Sequence, residues 1–203
     1  MAWTAPRTWV TGEVVTAANM NTHVRDNMLS LAQSFRFLTQ QSGRYYSTPV
    51  EAFTTASVSA NLLTAIPIFV PVTATMDRIA IEVTATGAGN ARLGIYQDSG
   101  GLPGALVDDS GTVDVSSTGL KTITISEVLT GPANYWLAYI SDVAPTVRVI
   151  GGHIQAPAAS ATPSGLAIKA SWVRAFTYAA LPDPFGTPDT DLAWGVAVAV
   201  RLS

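Results

Sequence analysis

MDRIAIEV, residues 76–83, places Ile79, Ile81 and Val83 at every second position, with charged or small residues between them. That period belongs to a half-buried β-strand, whose successive side chains point to opposite faces. The same texture runs outward from it. From about residue 48 onward the composition is rich in Thr, Val, Ile, Ala and Ser, with Gly, Pro and Asp as punctuation. Residues 87–90 (GAGN) read as a turn, 91–97 (ARLGIYQ) as the next strand, and 99–104 (SGGLPG) as a dense turn cluster. Short strands are predicted at 105–108, 111–115 and 120–125, the last with Leu120, Thr122 and Thr124 opposite Lys121, Ile123 and Ile125. Residues 134–140 (NYWLAYI) form the most aromatic strand, and 146–150 and 192–202 (LAWGVAVAVRL) complete the set. Short strands at regular spacing, with no helical window between them, predict an antiparallel sandwich or jelly roll. The expected fold is mainly β: a jelly-roll-like antiparallel β-sandwich over residues 43–203, preceded by an N-terminal arm and one α-helix within residues 1–42.

The helix is expected over residues 16–38. Ala17, Asn21, Val24, Met28, Leu31, Phe35 and Leu38 follow one another at alternating steps of four and three. This is the spacing of a coiled-coil seam, with Asn21, Met28 and Phe35 at a, and Ala17, Val24, Leu31 and Leu38 at d. A polar residue inside such a seam costs stability but fixes register and strand number. The predicted oligomerisation set is therefore Asn21, Val24, Met28, Leu31, Phe35 and Leu38. An amphipathic helix packed on its own β domain would show a similar stripe; the narrowness of this one and its Asn favour self-association. Thr16 can cap the helix, and the run 40–43 (QQSG) supplies an exit. Arg25 and Asp26, being adjacent, are not expected to face each other along one helix.

Residues 1–15 show neither period and read as an extended arm. Trp3, Pro6 and Trp9 could anchor such an arm in grooves of another protein, since Pro has already fixed its φ and Trp carries a large apolar surface. The alternative is that the tryptophans pack back on the chain's own helix.

Composition bounds the function. The 203 residues suffice for one domain with an appendage. Only 12% are charged and 48% are apolar, against about 25% charged in an average soluble protein. So sparse a charge is most easily explained by a surface that other subunits cover. A net charge of −3 and the lack of any Lys/Arg run argue against nucleic acid as a partner. There is no cysteine, and His23 and His153 have no metal-ligand spacing. No metal or other cofactor is expected. The N-terminus has no secretory h-region, and the apolar stretches at 62–72 and 192–200 are too short to span a membrane, the first being broken by Pro67 and Pro71. A soluble chain without membrane insertion is the expectation.

Catalysis is not expected either. Asp98, Asp108, Asp109 and Asp114 fall near turns and could pair as glycosidase carboxylates or hold a calcium ion. Aspartates are also favoured in turns because they bond to nearby backbone, and that reading is preferred. The GxSxG context of a nucleophile elbow is absent. Sugar binding has a better candidate. Trp172, Arg174, Phe176 and Tyr178 alternate and would share one strand face, giving a glycan-binding surface; the same face could equally be domain core, with Arg174 pointing to an interface or a wet groove. These residues lie in the irregular, proline-punctuated stretch 152–190, where recognition loops would sit.

Three stretches together resemble tailed-bacteriophage virion structural proteins of the tail-fibre or head-fibre type. WTAPRTWVTGEVVTAANMNTHVRDNMLSL, residues 3–31, is similar to an N-terminal segment of such proteins, with Trp9, Gly12, Glu13, Asn21, Arg25, Asp26 and Asn27 filling its pattern. LGIYQDSGGLPGALVDDSG, residues 93–111, and PANYWLAYISD, residues 132–142, resemble a jelly-roll module of phage and bacterial surface proteins. The resemblance implies a virion location, a homotrimer, and partners among capsid, tail or baseplate proteins bound through the N-terminus. It suggests a short fibre or tail-tip protein whose head meets host surface polysaccharide. No long shaft or collagen-like repeat is present, which keeps open a capsid or tail decoration protein with no receptor role.

Overall fold

In the computed structural model, which describes residues 4–5, 7–28, 41–49, 52–151 and 170–203, the alternation at 76–83 lies within a longer strand, Ala74–Ala85. Ile79, Ile81 and Val83 are all buried, as their spacing predicts. Met76 is buried with them although it sits out of phase. A bulge between Met76 and Arg78 shifts the register and brings it round to the same face.

The chain divides into two units, Met1–Gln40 and Gln41–Ser203. The second is an antiparallel β-sandwich. Its strands are β1 (Tyr45–Tyr46), β2 (Ala52–Ser57), β3 (Leu62–Val70), β4 (Ala74–Ala85), β5 (Asn90–Ser99) and β6 (Leu102–Asp114). They continue with β7 (Gly119–Leu129), β8 (Ala133–Ser141), β9 (Thr146–Gly151) and β10 (Ser171–Ala175). Short strands β11 (Thr190–Leu192), β12 (Trp194–Val196) and β13 (Ala199–Leu202) follow. One sheet runs β1-β13-β4-β9-β12, with β2 beside β9 and β7 beside β4; the other runs β11-β10-β3-β8-β5-β6. Between them lies the main core, where Ile66, Ile68, Leu93, Ile95 and Leu137 of the second sheet meet Ile79, Ile81, Val147, Val149 and Val200 of the first.

Two strand predictions need correcting, and one long strand is not predicted at all. The apolar stretch at 62–72, considered above only as too short to span a membrane, contains the interior strand β3, Leu62–Val70. Pro67 is tolerated because β10 pairs only with residues 62–65, leaving that edge of β3 open further along. The Pro67 carbonyl points to the open edge and accepts from the buried Thr48 hydroxyl, so the missing N–H on the same side costs the ladder nothing. Residues 105–108 and 111–115, read as two short strands, fall, all but Val115, in the single strand β6, whose pairing with β5 shifts register at several points. Residues 192–202, read as one strand, divide because β12 pairs with β9 while β13 pairs with β4.

Two bidentate ion pairs clamp β4 to its neighbours. Arg201 Nε donates to Asp77 Oδ1 at 2.8 Å from β13, and Arg148 donates to both Glu82 oxygens at 3.0 and 3.1 Å from β9. The hydrogen bonds from Arg201 and Arg148 lower the Asp77 and Glu82 pKa values from their ordinary 3.8 and 4.5. A carboxylate lowered in the folded state contributes stability that is present above its unfolded pKa and lost as pH falls through the folded one. An Asp77→Asn/Glu82→Gln double variant should therefore melt below the wild type near neutral pH, with the gap closing below about pH 4. A gap in melting temperature that does not change between pH 7 and pH 3 would refute the assignment.

Candidate functional site

In the first unit, Thr16 caps the helix as predicted, its hydroxyl accepting from Asn19 N at 3.2 Å. The helix is not uniform. Ala17–Met20 is α-helical, Asn21–Arg25 is a π turn, and α-helical geometry resumes at residues 26–28. The wide turn rotates the residues after it relative to those before, so the even heptad inferred from sequence is interrupted. Arg25 and Asp26 also depart from expectation. Arg25 Nε donates to Asp26 Oδ1 at 2.8 Å, because the long guanidinium stem folds across the exposed helix surface to its neighbour.

The arm packs on this helix. Asn27 is buried, and its side-chain amide reads the Thr4 backbone like a paired strand: Nδ2 donates to Thr4 O at 2.8 Å and Oδ1 accepts from Thr4 N at 3.0 Å. The chain turns back at Gly12, whose φ of +84° suits a residue without Cβ. Glu13 closes that turn, its N–H donating to Val10 O at 3.1 Å and its carboxylate pairing with Arg7. Arg7 lies over the Trp9 ring at 4.7 Å, and Trp9 meets His23 edge-on at 6.4 Å. Trp9 and Asn27 thus hold arm to helix, Trp9 by the packing-back alternative given above, while Gly12 and Glu13 shape the turn within the arm. Of the predicted seam, Asn21, Val24 and Met28 are exposed, Val24 at 39% and Met28 at 64%. Val10, Val14, Val15 and Met20 are exposed as well. Leu31, Phe35 and Leu38 of the seam, and Trp3 and Pro6 of the anchor, lie outside the described residues, as do His153 and the rest of 152–169.

In the sandwich, Trp172, Phe176 and Tyr178 of the candidate glycan residues pack against a second hydrophobic cluster on the outer face of the second sheet. Trp172, Ala65, Ala138 and Gly94 form a row across β10, β3, β8 and β5. Three small residues in that row leave a trough, bordered by Trp136 and Tyr96. Leu181 and Phe185, from the segment after β10, fill it. A Cβ at Gly94 would strike the Leu181 side chain and the Asp108 backbone, so glycine is required there. Phe185 meets Tyr96 edge-on at 5.2 Å. Burial, reinforced by Asp109 and Asp183, raises the Tyr96 pKa, and its neutral hydroxyl donates to Pro182 O at 2.9 Å.

Trp172, Arg174, Phe176 and Tyr178 are all partly buried, and only the first two lie within β10. Their polar atoms are engaged inside the fold. Trp172 Nε1 donates to Gly101 O at 3.2 Å, Arg174 Nη1 to Phe185 O, and Tyr178 OH lies 3.3 Å from Thr112 Oγ1. The Arg174 guanidinium sits 5.7 Å from the Phe176 ring centre.

The turn aspartates are likewise occupied. Asp98 accepts from Gly101 N at 3.2 Å and Trp136 Nε1 at 2.8 Å. Asp109 takes Arg92 Nε at 2.8 Å and Leu181 N at 3.0 Å, and so ties the covering segment to the sheet. Asp108 accepts from Ser110, and Asp114 from Ser116 N at 2.8 Å. Among the described residues no group of three or more His, Asp or Glu side chains is arranged to hold a metal ion.

No family model and no curated protein matches this sequence. Among solved structures, the chain is similar to the cysteine protease and lectin-like domains of Cwp84, a surface layer associated protein of Clostridium difficile. The TM-score is 0.49 at 11% identity, covering 81% of this chain and 37% of that one. A likeness of that size carries no functional argument.

Filling the trough should release its cover. Gly94→Ala is expected to destabilise the protein by about 1–3 kcal/mol, the cost of overpacking a filled site. It should also open residues 176–189 to protease. Unchanged urea unfolding together with unchanged cleavage would show that the segment does not depend on the trough.

Proposed function

We propose that this chain is a virion structural protein of a tailed phage: a short trimeric fibre or tail-tip component, held to the particle by its N-terminal arm and helix, with the β-sandwich as its head. The observation that carries this reading is the exposure of Val24 and Met28 on the predicted seam, with Met20 and the arm valines also facing solvent. Among the described residues of the helix no apolar side chain is buried, and a helix without a buried apolar face gains little stability of its own in water. Packing against copies of itself would remove that apolar surface from water. The resemblance of residues 3–31 to phage N-terminal segments supports the same assignment, as does the low charge content. Other virion proteins would meet the anchor residues Trp3, Pro6 and Trp9, and host surface glycan would meet the exposed parts of Trp172, Arg174, Phe176 and Tyr178.

A second reading, a capsid or tail decoration protein without a receptor role, is favoured by one feature. Trp172 Nε1 and Arg174 Nη1, donors a sugar could use, are already bonded within the fold. Adsorption separates the two: phage carrying Trp172→Ala should adsorb to host cells less well if the head reads glycan, and normally if the protein only stabilises the particle.

Light scattering on the full chain tests the seam. The wild type should have a native mass that is a multiple of three protomers. A Val24→Asp/Met28→Asp variant should lose that three-fold association while keeping the wild-type β-sheet circular dichroism. A wild-type mass with no factor of three would exclude the trimer.

A further inference from the structure

Strand β7 borders its sheet. One edge pairs with β4 from Gly119 to Leu129, with a register shift between Thr124 and Glu127, and among the described residues no strand pairs with the other. It is an 11-residue strand, roughly twice the common length of 5–6. Leu120, Thr122, Thr124, Ser126 and Val128 form its exposed face, with Leu120 at 62% and Val128 at 60% exposure. No charge or proline interrupts that face. Open edges are usually blunted by one or the other, because unpaired N–H and C=O groups recruit another strand.

The sequence also says which strand would fit. Read outward from Thr124, β7 is nearly the same in both directions: Ile123 balances Ile125, Thr122 balances Ser126, and Leu120 balances Val128. Lys121 balances Glu127, so the one pair that is not alike is opposite in charge. Laid antiparallel on a second copy about a two-fold axis through Thr124, each residue would meet its like and each Lys121 would face a Glu127. Cross-strand pairs of these kinds are stabilising, and a two-fold contact requires this self-complementarity.

We propose that the free edge of β7 binds the β7 edge of a second copy of this chain, antiparallel and centred on Thr124. The contact is independent of the N-terminal seam. The chain contains no cysteine, so a single introduced thiol reports the geometry without background. Residues paired across antiparallel strands have Cα atoms about 4.5–5.5 Å apart, within disulfide reach. Thr124→Cys in the full chain should therefore give a covalent dimer on mild oxidation, at least about tenfold faster than Leu120→Cys. Two copies of position 120 would lie about 27 Å apart, at roughly 3.4 Å per residue.

Adding Lys121→Glu to Thr124→Cys should slow the cross-link, and adding Glu127→Lys to that variant should restore it. Adding Val24→Asp/Met28→Asp to Thr124→Cys should leave the rate unchanged, which separates this contact from the trimer seam. Equal rates for Thr124→Cys and Leu120→Cys, or a rate indifferent to the charge changes, would overturn the proposal and leave Lys121 and Glu127 as guards that keep the edge single.

Discussion

The sandwich depends on one constraint: its second sheet is apolar on both faces and must be covered twice. The inner face packs on the first sheet in the ordinary way. The outer face carries Leu63, Trp136, Tyr96 and Ile140, which would otherwise form a large exposed apolar patch. The chain resolves this with an irregular segment laid into the Ala65–Ala138–Gly94 trough. Irregular backbone placed against an apolar face needs hydrogen-bond partners that no ladder supplies. Asp109 accepts from Leu181 N and Asn61 from Tyr178 N. Asp183 and Asp189 work in the opposite direction, accepting from Leu106 N and Ala175 N of the sheet. Of the turn aspartates, Asp109 is thereby committed to holding the cover.

This explains how far the sequence is readable. Where one face of a strand is wet, alternation survives, and the spacing of Ile79, Ile81 and Val83 is enough to put them in the core. Where both faces are dry, alternation is erased. In β8, Leu137 and Tyr139 enter the main core while Trp136 and Ala138 enter the second cluster, so NYWLAYI announces a strand but not its surroundings. The row from Trp172 to Tyr178 is ambiguous between core and ligand surface for the same reason. Its neighbours Leu181 and Phe185 come from a proline-rich run with no period. Pro67 hides β3, because its tolerance depends on where β10 stops pairing.

In the N-terminal unit local signals are legible and distant ones are not. Thr16 as cap needs only its own helix. The Asn27–Thr4 pairing joins residues 23 apart, and nothing in local spacing predicts it. The π turn is hidden for a different reason: heptad arithmetic assumes a constant rotation per residue, and one wide turn breaks that assumption without changing the sequence pattern. The same turn matters for assembly. Asn21 and Val24 lie within it and Met28 follows it, so a partner helix would meet those three at an angle offset from the one Ala17 presents.

The scarcity of charge gains a physical meaning from this arrangement. Monomers keep apart by presenting charged surfaces to one another, and this chain has few to present. The proposed seam is three-fold and the proposed β7 contact is two-fold. A chain carrying both closes into a hexamer when the axes meet at right angles, into a larger cage at a few other fixed angles, and otherwise propagates into an open array. A closed particle suits a short fibre that ends in discrete heads. An open array suits a coat that spreads over a particle surface, so the geometric relation between the two contacts decides between the same two functions that the covered aromatic face leaves in competition.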